Sequence, residues 1–103
     1  MRIGHVPDNG VLLAATRIDG ARWELYEVFY KHREPDEHWQ SLKLIVHARR
    51  PKANYWIGWN IEEERFSNAR DWRTLKEREP AVAAWCEAVL RDPEAAALIY
   101  GRA

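Results

Sequence analysis

The stretch VLLAATRIDGARWELYEVFY, residues 11–30, decides how this chain begins to fold. Two β-prone runs flank Asp19-Gly20, a dipeptide that accepts the positive φ of a type I′ hairpin turn. With that turn, Ile18 is expected opposite Ala21, Thr16 opposite Trp23, Ala14 opposite Leu25 and Leu12 opposite Glu27. Side chains alternate between faces, so Leu12, Ala14, Ile18, Trp23, Leu25 and Phe29 are expected to face the core. Val11, Leu13, Arg17, Arg22, Glu24, Tyr26, Val28 and Tyr30 fall on the other face. Glu27 is the misfit of the core set, and a bulge near the strand end is expected to turn it outward.

Outward from this hairpin, residues 31–37 are polar and contain Pro35, which marks a loop. A third strand is expected from about Trp39 to Arg49, with Leu42, Leu44, Val46 and Ala48 on one face and Lys43, Ile45, His47 and Arg49 on the other. Arg50 to Asn54 breaks the alternation, and Tyr55 to Asn60 forms a fourth strand. Residues 61–66 are expected to turn and add a short edge strand. From Ser67 the period lengthens to about 3.6. Asn68 is expected to cap a first helix with Asp71 in the reciprocal position, and Trp72 and Leu75 share its apolar face. Pro80 ends that helix and starts a second, in which Val82, Trp85, Cys86, Val89 and Leu90 form one stripe. Asp92-Pro93 starts a third, with Ala95, Leu98 and Ile99 inward and Gly101 as its stop.

Strands first and helices last define an α+β fold: an antiparallel four- to five-stranded meander over about residues 11–66, then two or three C-terminal helices over about 68–100, packed on one face. A chain of 103 residues is expected to form one domain, residues 1–103, with a core large enough to need no disulfide or metal. Cys86 stands alone, so no internal disulfide can form, and no apolar run approaches a membrane span. The N-terminus, taken as the native start, has no apolar leader. The expectation is a cytoplasmic protein without membrane attachment.

Sixteen basic and sixteen acidic residues cancel, which removes the broad attraction that non-specific nucleic-acid binders use. The distribution is more telling than the sum. From His38 to Ile61 there is no Asp or Glu, while Lys43, Arg49, Arg50 and Lys52 are interleaved with Trp39, Tyr55, Trp56 and Trp59. Lys43, His47, Arg49, Arg50, Tyr55, Trp56 and Trp59 are therefore the candidate binding residues, since Trp, Tyr and Arg anchor interfaces most often. Trp56 and Trp59 are three apart on one strand, so they point to opposite faces and at most one can pack beneath the helices.

No Gly-rich phosphate loop, nucleophile elbow or zinc-helix motif is present. Cys86 lies in the apolar stripe of the second helix, where it reads as a small hydrophobe. His32 and His38 flank three carboxylates in one loop and are weak metal candidates, without a recognised ligand spacing. The expected function is a small non-catalytic interaction module, of the adaptor, inhibitor or phage and mobile-element accessory kind, which needs no cofactor. Its partner is a protein or a second copy of itself in a homodimer. The alternative is a single-stranded nucleic-acid platform on Lys43, Arg49, Trp56 and Trp59. A second alternative is a small enzyme whose site only the fold assembles.

Overall fold

A computed structural model describes residues 7, 9–34 and 36–100. Asp19 and Gly20 both take positive φ, 50° and 76°, so the tight turn forms where the sequence places it. It joins β1 (Gly10–Ile18) to β2 (Ala21–Val28), and β3 (Trp39–His47), β4 (Asn54–Asn60) and β5 (Arg65–Phe66) follow. All neighbours pair antiparallel in the order β1-β2-β3-β4-β5, a five-stranded meander. Three helices complete the chain: α1 (Arg70–Arg78), α2 (Pro80–Arg91) and α3 (Pro93–Tyr100). The α+β class is as expected.

The first three pairs of the hairpin match the expected register, and then the register slips. Leu12 pairs with Tyr26 while Ala14 pairs with Leu25, so Leu13 is an extra residue, a β-bulge. A bulge reverses the parity of what precedes it. Leu12, expected inside, lies half-exposed, and Leu13, expected outside, packs against the core. The bulge sits in β1 and not at the end of β2, so Glu27 is not turned outward: it keeps the parity of Trp23 and Leu25 and pairs with Leu42. Phe29, expected in the core, follows the last residue of β2 and is exposed.

One face of the sheet carries the core. Trp23 and Leu25 of β2, Leu42, Leu44 and Val46 of β3, and Tyr55, Ile57 and Trp59 of β4 are buried together with Trp72 and Leu75 of α1 and Val82, Trp85, Cys86 and Val89 of α2. Phe66 stacks on Trp72 with centroids 3.9 Å apart and meets Trp59 edge-on at 4.7 Å, which closes the sheet against α1. Pro80 occupies the first turn of α2, as the sequence indicates.

Two helix expectations are corrected. The N-cap of α1 is Ala69, not Asn68, and no side chain caps it. Asp71 instead accepts the backbone N–H of Trp56 at 2.7 Å and pairs with Lys52 at 3.3 Å. With β5 only two residues long, that N–H has no strand partner, and a carboxylate from the helix satisfies it. In α3 the Asp92 carboxylate does accept the Ala95 N–H, at 3.2 Å. The inward residue is Ala96, however, while Leu98 and Ile99 are exposed. The Thr16 hydroxyl on β1 donates to the Tyr100 carbonyl at 3.2 Å, and Tyr100 packs against the core one turn after Ala96. Gly101 lies outside the described residues, as does Pro35.

Candidate functional site on the outer sheet face

Because the helices cover one face, the alternate residues of each strand form an outer face. The registers order them in rows. Arg17, Arg22 and His47 make one row, and Ala15, Glu24, Ile45 and Asn54 the next. Leu12, Tyr26, Lys43 and Trp56 make a third. Ile45 is completely buried in the middle of this surface, so the surrounding polar side chains close over it.

Glu24 is the centre of that cover, only 8% exposed. Arg22 Nε donates to its Oε2 at 3.0 Å, the Tyr26 hydroxyl to its Oε1 at 3.1 Å, and His47 Nε2 lies 2.6 Å from the same Oε1. Burial alone raises the pKa of the Glu24 carboxyl. The hydrogen bonds from His47, Arg22 and Tyr26 outweigh it and hold the group below its ordinary value. Tyr26 moves the other way, because burial and the adjacent carboxylate both oppose a phenolate. Both Glu24 oxygens are engaged.

Lys43 is a candidate binding residue of the sequence, on the strand face away from Leu42 and Leu44, but it does not lie open to solvent. It is 5% exposed, wedged between Tyr26 on β2 and Trp56 on β4, with its ammonium 4.8 Å from the centroid of the Trp56 ring. Burial lowers its pKa. No carboxylate of a described residue lies within ion-pair distance of it. Trp56 is 46% exposed.

The other tryptophan of this face is already occupied. Trp39 lies against Gly58, where a Cβ would stand 3.7 Å from its ring, and the Arg65 guanidinium sits 5.5 Å from its centroid.

Of the sequence candidates, Lys43, His47 and Trp56 come together on the outer face. Tyr55 and Trp59 do not: both turn toward the helices and are buried, which settles which of the two strand tryptophans is inside. Arg50 is also drawn inward. Its guanidinium bonds Glu79, between α1 and α2, and lies 5.5 Å from the Trp23 ring, so it fastens the β3–β4 turn to the helical layer. Arg49 is exposed in that turn. His38 pairs with Glu62 at 2.9 Å, His32 is exposed, and no three His, Cys, Asp or Glu side chains of the described residues group as metal ligands. Arg22, Glu24 and Tyr26 were legible as sharing a face but not as one network, because the partner that completes it, His47, is set by the β2–β3 register.

A groove of about 610 Å³ opens at the end of the sheet where the 29–38 loop leaves it, lined by Glu27, Phe29, Tyr30, Trp39 and Ile61 among others. Asp36 at its rim is spent on the loop itself, accepting the N–H groups of His38 and Trp39. No helix of the described residues is long and apolar enough to cross a membrane.

Comparison with known proteins finds no match among family models, curated proteins or solved structures.

Proposed function

We propose that this chain is a small non-catalytic interaction module that binds a protein partner, or a second copy of itself, through the outer face of its sheet. The observation that carries this reading is Trp56, an indole 46% exposed at the middle of β4 while Trp23, Trp59, Trp72 and Trp85 are buried. A rigid aromatic on a strand, flanked by Lys43, Tyr26 and the Arg22–Glu24–His47 cluster, is the kind of group that anchors an interface. Cys86 is fully buried and burial pushes its thiol far up, which takes away the one cysteine nucleophile. A cytoplasmic setting belongs to the same reading.

The competing reading is a single-stranded nucleic-acid platform. It needs several open rings, but Trp59 faces the core and Trp39 is held between Gly58 and Arg65, which leaves Trp56 as the one open tryptophan of the sequence candidates. The test is affinity capture from the source cell with the wild type and with Trp56→Ala, followed by identification of the captured protein and sedimentation of the isolated chain. A defined partner, or a dimer, lost on Trp56→Ala supports the module. Capture and self-association unchanged by the substitution refute it. Oligonucleotide binding that falls steeply with salt transfers the assignment to the platform.

A further inference from the structure

Resting on that reading, we infer that Lys43 is a receptor for a carboxylate: the outer face takes an acidic segment of a protein partner, and one Asp or Glu side chain of that segment docks on the Lys43 ammonium between Tyr26 and Trp56. Three observations carry it. First, a lysine 95% removed from solvent normally brings a counter-charge with it, yet the described residues supply none within ion-pair distance. The Trp56 ring at 4.8 Å compensates part of the charge but donates no anion.

Second, the neighbouring carboxylate cannot serve. Glu24 has both oxygens committed to Arg22, Tyr26 and His47, and it belongs to the next row of the sheet. Among the described residues, the side-chain polar atoms fully sealed and without a hydrogen bond are the Trp23 indole nitrogen and Arg50 Nε; Lys43 Nζ is not one of them. The stem of Lys43 is buried, and what little of the residue remains open includes its ammonium, which an incoming carboxylate meets at the surface between Tyr26 and Trp56.

Third, charge complementarity selects the class of partner. Arg17 and Arg22 share one row of this face and Lys43 stands two rows on, against the single carboxylate of Glu24 in the row between them. An acidic peptide answers that excess with separate carboxylates. A phosphate backbone would have to run past Glu24, which interrupts the cations, and would find one exposed indole beside Lys43 for its bases.

The probe is an acetylated, amidated Gly-Ser peptide carrying four aspartates, titrated into the intact chain at low salt, with a twelve-residue thymidine oligonucleotide in a parallel arm. The Trp56 indole N–H resonance, assigned through Trp56→Phe, reports on the site. Lys43→Met keeps the stem and removes the charge, and it is expected to fold, since it takes an unpaired ammonium out of a covered position. The expected result is peptide binding that shifts the Trp56 resonance, with Kd raised at least about tenfold by Lys43→Met and less than about twofold by Arg49→Ala. Equal affinity in Lys43→Met, no peptide binding at millimolar concentration, or tighter binding of the oligonucleotide overturns the inference. In the cell-capture experiment, a partner lost with Trp56→Ala but retained with Lys43→Met defeats the carboxylate receptor and leaves the sheet-face module standing.

Discussion

Replacing Glu24 with Gln tests whether the outer-face network holds the sheet together. The carboxylate receives three donors, from Arg22, Tyr26 and His47, on two oxygens. Gln has nearly the same shape but one acceptor oxygen, and its amide N–H₂ must point at a donor. At least one charge-assisted bond is lost and one donor is left facing a donor, which costs about 2–3 kcal/mol at neutral pH. For a small domain whose stability falls by roughly 1–2 kcal/mol per molar urea, the unfolding midpoint drops by about 1–3 M.

The same network gives a pH signature. Glu24 titrates below its ordinary value of 4.5 when folded, so its contribution is fully present above the unfolded pKa and disappears as pH falls through the folded one. The gap between wild type and Glu24→Gln is therefore widest near neutrality and closes in acid. Urea unfolding followed by circular dichroism at pH 7, 5, 4 and 3 measures it. A gap below about 0.5 kcal/mol at pH 7, the range of ordinary surface substitutions, or one that does not narrow in acid, refutes the reasoning.

Three further outcomes are expected. Trp59→Ala leaves a large cavity beside Phe66 and should cost about 3–5 kcal/mol, whereas Trp56→Ala should cost no more than about 1, a contrast that chemical denaturation resolves. The bulge predicts that Leu13→Asp lowers the melting temperature far more than Leu12→Asp, because Leu13 packs on the core and Leu12 does not; equal effects would restore the uninterrupted hairpin register. Cys86, fully buried with its thiol pushed up, should react with an aromatic disulfide reagent only as fast as the native state opens, so reaction at the rate of a free thiol would contradict its place in the core.

The sequence by itself determined what depends on local chemistry. Asp19-Gly20 tolerates positive φ, so the hairpin turn was legible, and the change of period after Ser67 separated strands from helices. Pro80 and Asp92-Pro93 marked two helix starts because a proline lacks the N–H that a first turn leaves unused. Opposite faces for Trp56 and Trp59 followed from the two-residue period of a strand.

Other features depended on contacts between distant segments. Leu12 and Leu13 are both apolar leucines, so no local signal says which faces inward; the bulge that decides it comes from docking β1 against β2 and the helices together. In α3 the stripes Ala95-Leu98-Ile99 and Ala96-Tyr100 are both helical spacings, and the Thr16–Tyr100 hydrogen bond goes with the second. Arg50 reads in the sequence as a candidate binding residue, but the fold brings Glu79, twenty-nine residues away, against it. The candidate site was hidden for the same reason. Lys43 becomes a covered cation, and Glu24 the hub of a network, only once the β2–β3 and β3–β4 registers set Tyr26 and Trp56 on either side of one and His47 beside the other. Register across a long loop is fixed by the packing of whole strands, not by any residue within the loop.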